Sequence, residues 1–179
     1  MKINLQNCTE EELWKHVGSH LSAKGIDNVL VGGAVVSIYT DGLYESGDLD
    51  FIVSSVFMDR LPETMKEIGF QKEGRHYVHP ECSHLFVEFP PGPLAIGEDT
   101  NLTPERKKVD GTVIKIFSPT DCIKDRLASF IHFKSRDTLD QAVLVAKNQP
   151  FKLAEVERWC LTENAKEAFD EFQRLFKTK

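Results

Sequence analysis

Apolar positions change period along the chain, and each change marks a new kind of element. Leu13, Val17 and Leu21 recur every four residues, the spacing of one helix face. Thr9 followed three positions on by Glu12 is a capping-box signature, and Gly25 is a stop. The spacing predicts a first helix between them. Asn28-Val29-Leu30-Val31 is a short β-rich run ending at Gly32-Gly33, after which Ala34 to Tyr39 begins a buried helix. Asp48 to Val53 alternates, which predicts a strand with Asp48, Asp50 and Ile52 on one face and Leu49, Phe51 and Val53 on the other. Leu61, Met65 and Ile68 predict a crossover helix over 58–68 that stops at Gly69. From Phe70 to Phe117 the period is two, with Leu85–Phe89 and Val113–Phe117 as the clearest strands. Pro90-Pro91-Gly92-Pro93 and Asp110-Gly111 mark turns. Beyond Ser118-Pro119-Thr120-Asp121 the pattern is helical to the end: Ile123, Leu127 and Ile131, then Leu139, Val143 and Ala146, then Phe169, Phe172 and Phe176. This predicts an α/β (α+β) unit over residues 1–118 and a helical region over 119–179.

Composition narrows the class. At 179 residues, with 41% hydrophobic and 28% charged, the chain has the make-up of a globular domain and is neither disordered, collagenous nor a disulfide miniprotein. No apolar run reaches the roughly 18 to 20 residues that cross a bilayer, and Met1 to Trp14 lacks the apolar centre of a signal peptide. The expected compartment is the cytoplasm, with no membrane partner. Twenty-two basic against 28 acidic residues give a net charge of -6, which removes any global footprint for duplex nucleic acid. Cys8, Cys82, Cys122 and Cys160 show no C-x-x-C spacing and read as free thiols.

Chemistry concentrates in three places. Gly32-Gly33 ends a strand and opens a helix, so the backbone can approach a phosphate closely. Asp48 and Asp50 project from one strand face, and such a pair repels unless a cation lies between the carboxylates. Glu88 is an acid inside the apolar run Leu85 to Phe89, on the same face as Phe86. It is the third carboxylate of the site, an acid on an exposed sheet face, or one paired with Arg75 or Lys115. A glycine turn for a triphosphate and carboxylates for divalent ions are the needs of nucleotidyl transfer.

With those residues in place the sequence resembles the nucleotidyltransferase superfamily of the DNA polymerase beta type. Val31-Gly32-Gly33 and Asp48-Leu49-Asp50-Phe51 match its motif, with Ser46 where the family often has Ser or Thr. GGAVVSIYTDGL, ESGDLDFIV and the late PTDCIKDRLASFIHFKSRDTLDQA look like the small prokaryotic nucleotidyltransferases related to the AbiEii toxin group. For that group's basic residue and Arg-Asp pair, Arg126 and Arg136-Asp137 are the nearest matches. The resemblance implies a mixed sheet with flanking helices and a C-terminal helical region. It also implies Mg (or Mn) on Asp48, Asp50 and Glu88, and an NTP such as ATP contacted by Gly32, Gly33, Ser46 and Arg126. The nucleoside monophosphate would go to a hydroxyl acceptor, which the sequence leaves open between an RNA end, a protein and a small molecule. A cognate antitoxin is a further partner that the toxin group implies.

Fourteen residues separate Gly33 from Asp48, one more than the superfamily pattern usually has, and relatives often place Asp where this chain has Glu88. The alternative function is a catalytically silent nucleotide- or partner-binding module, which the intact Asp-x-Asp disfavours. A metal-dependent phosphohydrolase would normally add histidines to the acids. His76, His79, Cys82 and His84 invite a zinc reading instead, but Cys82-Ser83-His84 has a one-residue gap where structural zinc ligands usually have two to four. Surface or substrate-contacting histidines are expected there.

Overall fold

The computed structural model describes residues 3–178. Helix α1 (Glu10–Ala23) starts as its sequence dictates. Thr9 Oγ1 accepts from the Glu12 amide at 3.2 Å, and Glu12 Oε2 accepts from the Thr9 amide at 2.9 Å. Two of the otherwise unpaired groups at a helix start are thereby satisfied. Strand β1 (Asn28–Val31) follows, then α2 (Gly33–Tyr39), β2 (Asp48–Val53), a 3-10 turn at Ser55–Arg60 and α3 (Leu61–Lys66). Next come β3 (Gln71–Glu73), β4 (His76–His79), β5 (Cys82–Glu88), β6 (Glu105–Val109) and β7 (Thr112–Ile116). Four helices close the chain: α4 (Pro119–Phe133), α5 (Arg136–Asn148), α6 (Leu153–Thr162) and α7 (Lys166–Lys177).

The strands form one mixed sheet in the order β3-β4-β5-β2-β1-β7-β6. β2 runs antiparallel to β1 and parallel to β5, and β1 runs parallel to β7. β2 is therefore flanked on both sides. Its alternation appears as Leu49, Phe51 and Val53 buried, with Asp48, Asp50 and Ile52 only partly covered. Trp14, Leu30, Phe51, Val87, Ile114, Ile123 and Phe172 are fully buried, each contributing roughly 1.5 to 3 kcal/mol by transfer bookkeeping. Those residues come from α1, the sheet, α4 and α7, so a single core joins the strands to the C-terminal helices.

Two boundaries differ from the sequence reading. The helix expected over 58–68 is a 3-10 turn followed by a short α3, because Pro62 stands in its first turn. Proline has no amide hydrogen to give and clashes with the preceding turn, so α-helix can begin around it but not pass through it. Strand β5 starts at Cys82, earlier than the expected Leu85. Cys82, His84 and Glu88 thus share one strand. Among the described residues, no helix is long and apolar enough to cross a membrane.

Candidate active site

The parallel register of β2 and β5 pairs Asp48 with Phe86, Leu49 with Val87 and Asp50 with Glu88. Neighbouring strands lie about 4.8 Å apart, so Asp50 and Glu88 stand side by side. Val87 and Leu49 are buried while Glu88 and Asp50 are partly open, which puts both acids on the same sheet face as Asp48. Alternation alone predicted the faces. Register, which places the acids at one level, emerges only from the fold.

The loop ahead of β2 holds this group in place. Ser46 Oγ donates to Asp48 Oδ1 at 2.8 Å, and the Ser46 amide donates to Glu10 Oε1 at 2.8 Å. The first turn of α1 therefore pins the residue that orients Asp48. Glu10 was not identified from the sequence, because nothing local links it to a residue in another loop. Gly32 has φ 76°, and a Cβ there would run into Oδ2 of Asp50. At Gly33 a Cβ would lie 2.7 Å from Ser46 Oγ. The glycine pair thus clears space for the Asp50 carboxylate and the Ser46 hydroxyl, a closer demand than the approach of a phosphate.

Glu88 also has neighbours on its other side. In the antiparallel β4–β5 pair it stands opposite His76. His76 Nε2 lies 2.7 Å from Glu88 Oε1, and Arg75 Nε lies 3.3 Å from the same oxygen. The Arg75 pairing is therefore present, whereas Lys115 pairs with Asp27. The His76 ring stacks on Phe86, centroids 4.3 Å apart. His79 lies instead against Phe70.

Arg126 enters from α4. Its guanidinium grips Asp125 Oδ2 at 2.6 and 3.1 Å and donates to Gln141 Oε1 at 3.3 Å. Arg136, at the start of α5, pairs with Glu171 of α7. Lys124, two residues earlier on α4, is buried between Asp99 and Asp121 at 2.8 and 2.7 Å. It belongs to a cleft of about 820 Å³ that also includes Arg158 and Trp159 but none of Asp48, Asp50 and Glu88.

Electrostatics single out Asp50. Burial first, then Asp48 and Glu88, pushes the Asp50 carboxyl up to about 7, while the Arg126 charge pulls the other way. Three carboxylates on one sheet face, two of them in register, are hard-oxygen donors of the kind that suit Mg or Mn. A pH dependence follows. The ordinary Asp50 value is 3.8 and the folded value about 7, so its stabilising contribution is complete below the former and is lost as pH rises through the latter. Between pH 6 and 8 the metal-free protein is expected to lose about 1 kcal/mol from this group. Thermal unfolding in chelator should show that decline, and added Mg should reverse it at pH 8.

No protein-family model matches the sequence, and no curated protein matches it. Solved structures do. The antibiotic-resistance factor ANT(2'')-Ia superimposes with a TM-score of 0.62 at 11% identity, covering 92% of this chain and 96% of that one. An antigenic nucleotidyltransferase-like protein from Paracoccidioides brasiliensis gives 0.61 at 16% identity, covering 95% and 93%. The chain has the nucleotidyltransferase fold. A third structure, the lincomycin-bound lincosamide antibiotic adenylyltransferase LnuA, gives 0.55 at 15% identity, covering 80% of this chain and 99% of that one. None of these three bears the name of the toxin group that the sequence resembles.

Proposed function

We propose that this nucleotidyltransferase-fold chain transfers a nucleoside monophosphate from an NTP to a hydroxyl acceptor with the help of Mg or Mn. The observation that carries the reading is the assembly of Asp48, Asp50 and Glu88 on one sheet face, two of them in direct register, beside the Gly32-Gly33 turn. Asp48, Asp50 and Glu88 would hold the metal, which would supply charge neutralisation for the triphosphate and the departing pyrophosphate. Ser46 keeps Asp48 turned toward the site, and the bare Gly32 lets Asp50 sit tight against the turn. Arg126 supplies positive charge from the α4 side. Glu88 accepts the proton of the acceptor hydroxyl. His76 and Arg75 both engage its Oε1, so we assign the proton to the other oxygen. The acceptor oxygen bonds to the α-phosphorus, and the bond from that phosphorus to pyrophosphate breaks.

Small molecules are the first acceptors to try. LnuA is named as an antibiotic adenylyltransferase, and a further ANT(2'')-Ia structure, with a TM-score of 0.51, is named as a complex with adenylyl-2''-tobramycin. RNA ends and proteins come after, and a toxin–antitoxin role rests on the sequence resemblance alone. Replacing Glu88 with Gln is expected to lower transfer by about 100-fold or more while NTP binding changes only a few-fold. Single-turnover transfer and calorimetric NTP binding on the same preparation check both parts.

A second reading has one observation in its favour: Oε1 of Glu88 is already engaged by His76 and Arg75. On that reading the acid is structural and the protein holds a nucleotide without turning it over. Nucleotide binding with no pyrophosphate release for any acceptor would favour it.

A further inference from the structure

At the other end of β5 from Glu88, Cys82 and His84 meet Cys8, which lies in the segment ahead of α1. Cys82 Sγ is 3.9 Å from Cys8 Sγ and 4.0 Å from His84 Nδ1. One donor atom from each residue falls within 4.8 Å of the other two. His84 Nε2 lies 2.8 Å from the carbonyl oxygen of Cys8. A carbonyl only accepts, so Nε2 carries the hydrogen, and Nδ1 keeps its lone pair on the side of the thiols. A histidine whose second nitrogen is tied to a carbonyl in this way is oriented as metal-binding histidines usually are.

The spacing agrees with a tetrahedral ion. Bonds of about 2.3 Å to sulfur and about 2.0 to 2.1 Å to nitrogen separate two sulfurs by about 3.8 Å and a sulfur from a nitrogen by about 3.6 Å. The observed separations of 3.9 and 4.0 Å need to close by only a few tenths of an ångström. Thiolate and imidazole donors select a soft or borderline cation, in contrast with the oxygen donors of the Asp48, Asp50 and Glu88 set. The one-residue gap between Cys82 and His84, which counts against a zinc site built on a loop, is no obstacle on a strand. Positions two apart there project from the same face, and the third donor comes from a distant part of the chain.

We propose that Cys8, Cys82 and His84 form a zinc(II) site, separate from the carboxylate site, that ties the segment ahead of α1 to the start of β5. Three protein donors leave a fourth position for water. Cys8 directly precedes the Thr9 cap, and α1 carries the Glu10 that holds Ser46. The tie therefore anchors the same helix end that orients Asp48.

The test uses the full chain, reduced and stripped with chelator, in both the native background and an Asp48→Asn/Asp50→Asn background that removes the hard-metal site. Cobalt(II) serves as the spectroscopic probe and zinc(II) is measured by competition with a chromogenic chelator. The expected result in both backgrounds is one zinc equivalent, a thiolate-to-cobalt charge-transfer band that zinc abolishes, and a higher thermal midpoint with zinc. His84 is exposed, so His84→Ala is expected to fold, and it should weaken zinc binding by about 100-fold or more. Cys82→Ser should weaken the charge-transfer band. Cys122→Ser, at a buried thiol elsewhere, should leave band and affinity unchanged. The proposal is overturned if the folded, reduced chain gives no charge-transfer band. It is equally overturned if zinc affinity is the same in His84→Ala, or if binding vanishes with the aspartates instead of with Cys82 and His84.

Discussion

Asp50→Asn is expected to lower nucleotidyl transfer by at least about 1,000-fold and at the same time to make the metal-free protein more stable. The two effects share one cause. Asp50 is wedged against Gly32 and flanked by Asp48 and Glu88, so without a cation its negative charge meets burial and two like charges. Moving a carboxyl from 3.8 to about 7 corresponds to roughly 4 kcal/mol at about 1.4 kcal/mol per pH unit. Solvent reaches part of this group, so about 2 kcal/mol of relief at pH 8 is the expected gain for the neutral amide. On the proposed function the same amide would lose the charge that would hold the metal and, with it, the neutralisation of the triphosphate, a contribution of several kcal/mol in the transition state. Chemical denaturation in chelator and single-turnover transfer with Mg read the two sides. A variant that is both less stable and fully active would contradict the placement of Asp50.

Gly32→Ala carries the second large effect. With φ at 76° the residue lies where a side chain is strained, and the added methyl would meet the Asp50 carboxylate rather than open space. A stability loss of about 2 kcal/mol is expected from strain and displacement together. Transfer should fall by about 100-fold or more, because a shift of about 1 Å in a positioned group costs that much. Gly33→Ala should be milder, since its methyl meets the Ser46 hydroxyl, which can turn, and the backbone there is not left-handed. Equal losses in both variants would mean that the turn acts through general packing and not through Asp50.

What could be read in the sequence was what periodicity and local chemistry control. The alternation over β2 placed Asp48 and Asp50 on a partly open face, and Thr9 with Glu12 announced the start of α1. Glu88 was assigned its face but not its level, because register between strands far apart in sequence is set by how the core packs Leu49, Phe51 and Val87. The same limit hid His76 from Glu88, Glu10 from Ser46 and Cys8 from Cys82 and His84, all of them contacts made by folding. The apolar spacing of Leu61, Met65 and Ile68 by itself predicts a continuous helix, and Pro62 shortens it to α3.

The most direct measurement follows the α-phosphate. The wild-type chain and Asp50→Asn are incubated with Mg and each α-labelled NTP, first with aminoglycoside and lincosamide hydroxyl acceptors, then with RNA and with cell extract. The account predicts label on an acceptor together with an equal amount of pyrophosphate, and loss of both in Asp50→Asn. Orthophosphate release in place of pyrophosphate, or label transfer that is unchanged in Asp50→Asn, would contradict it.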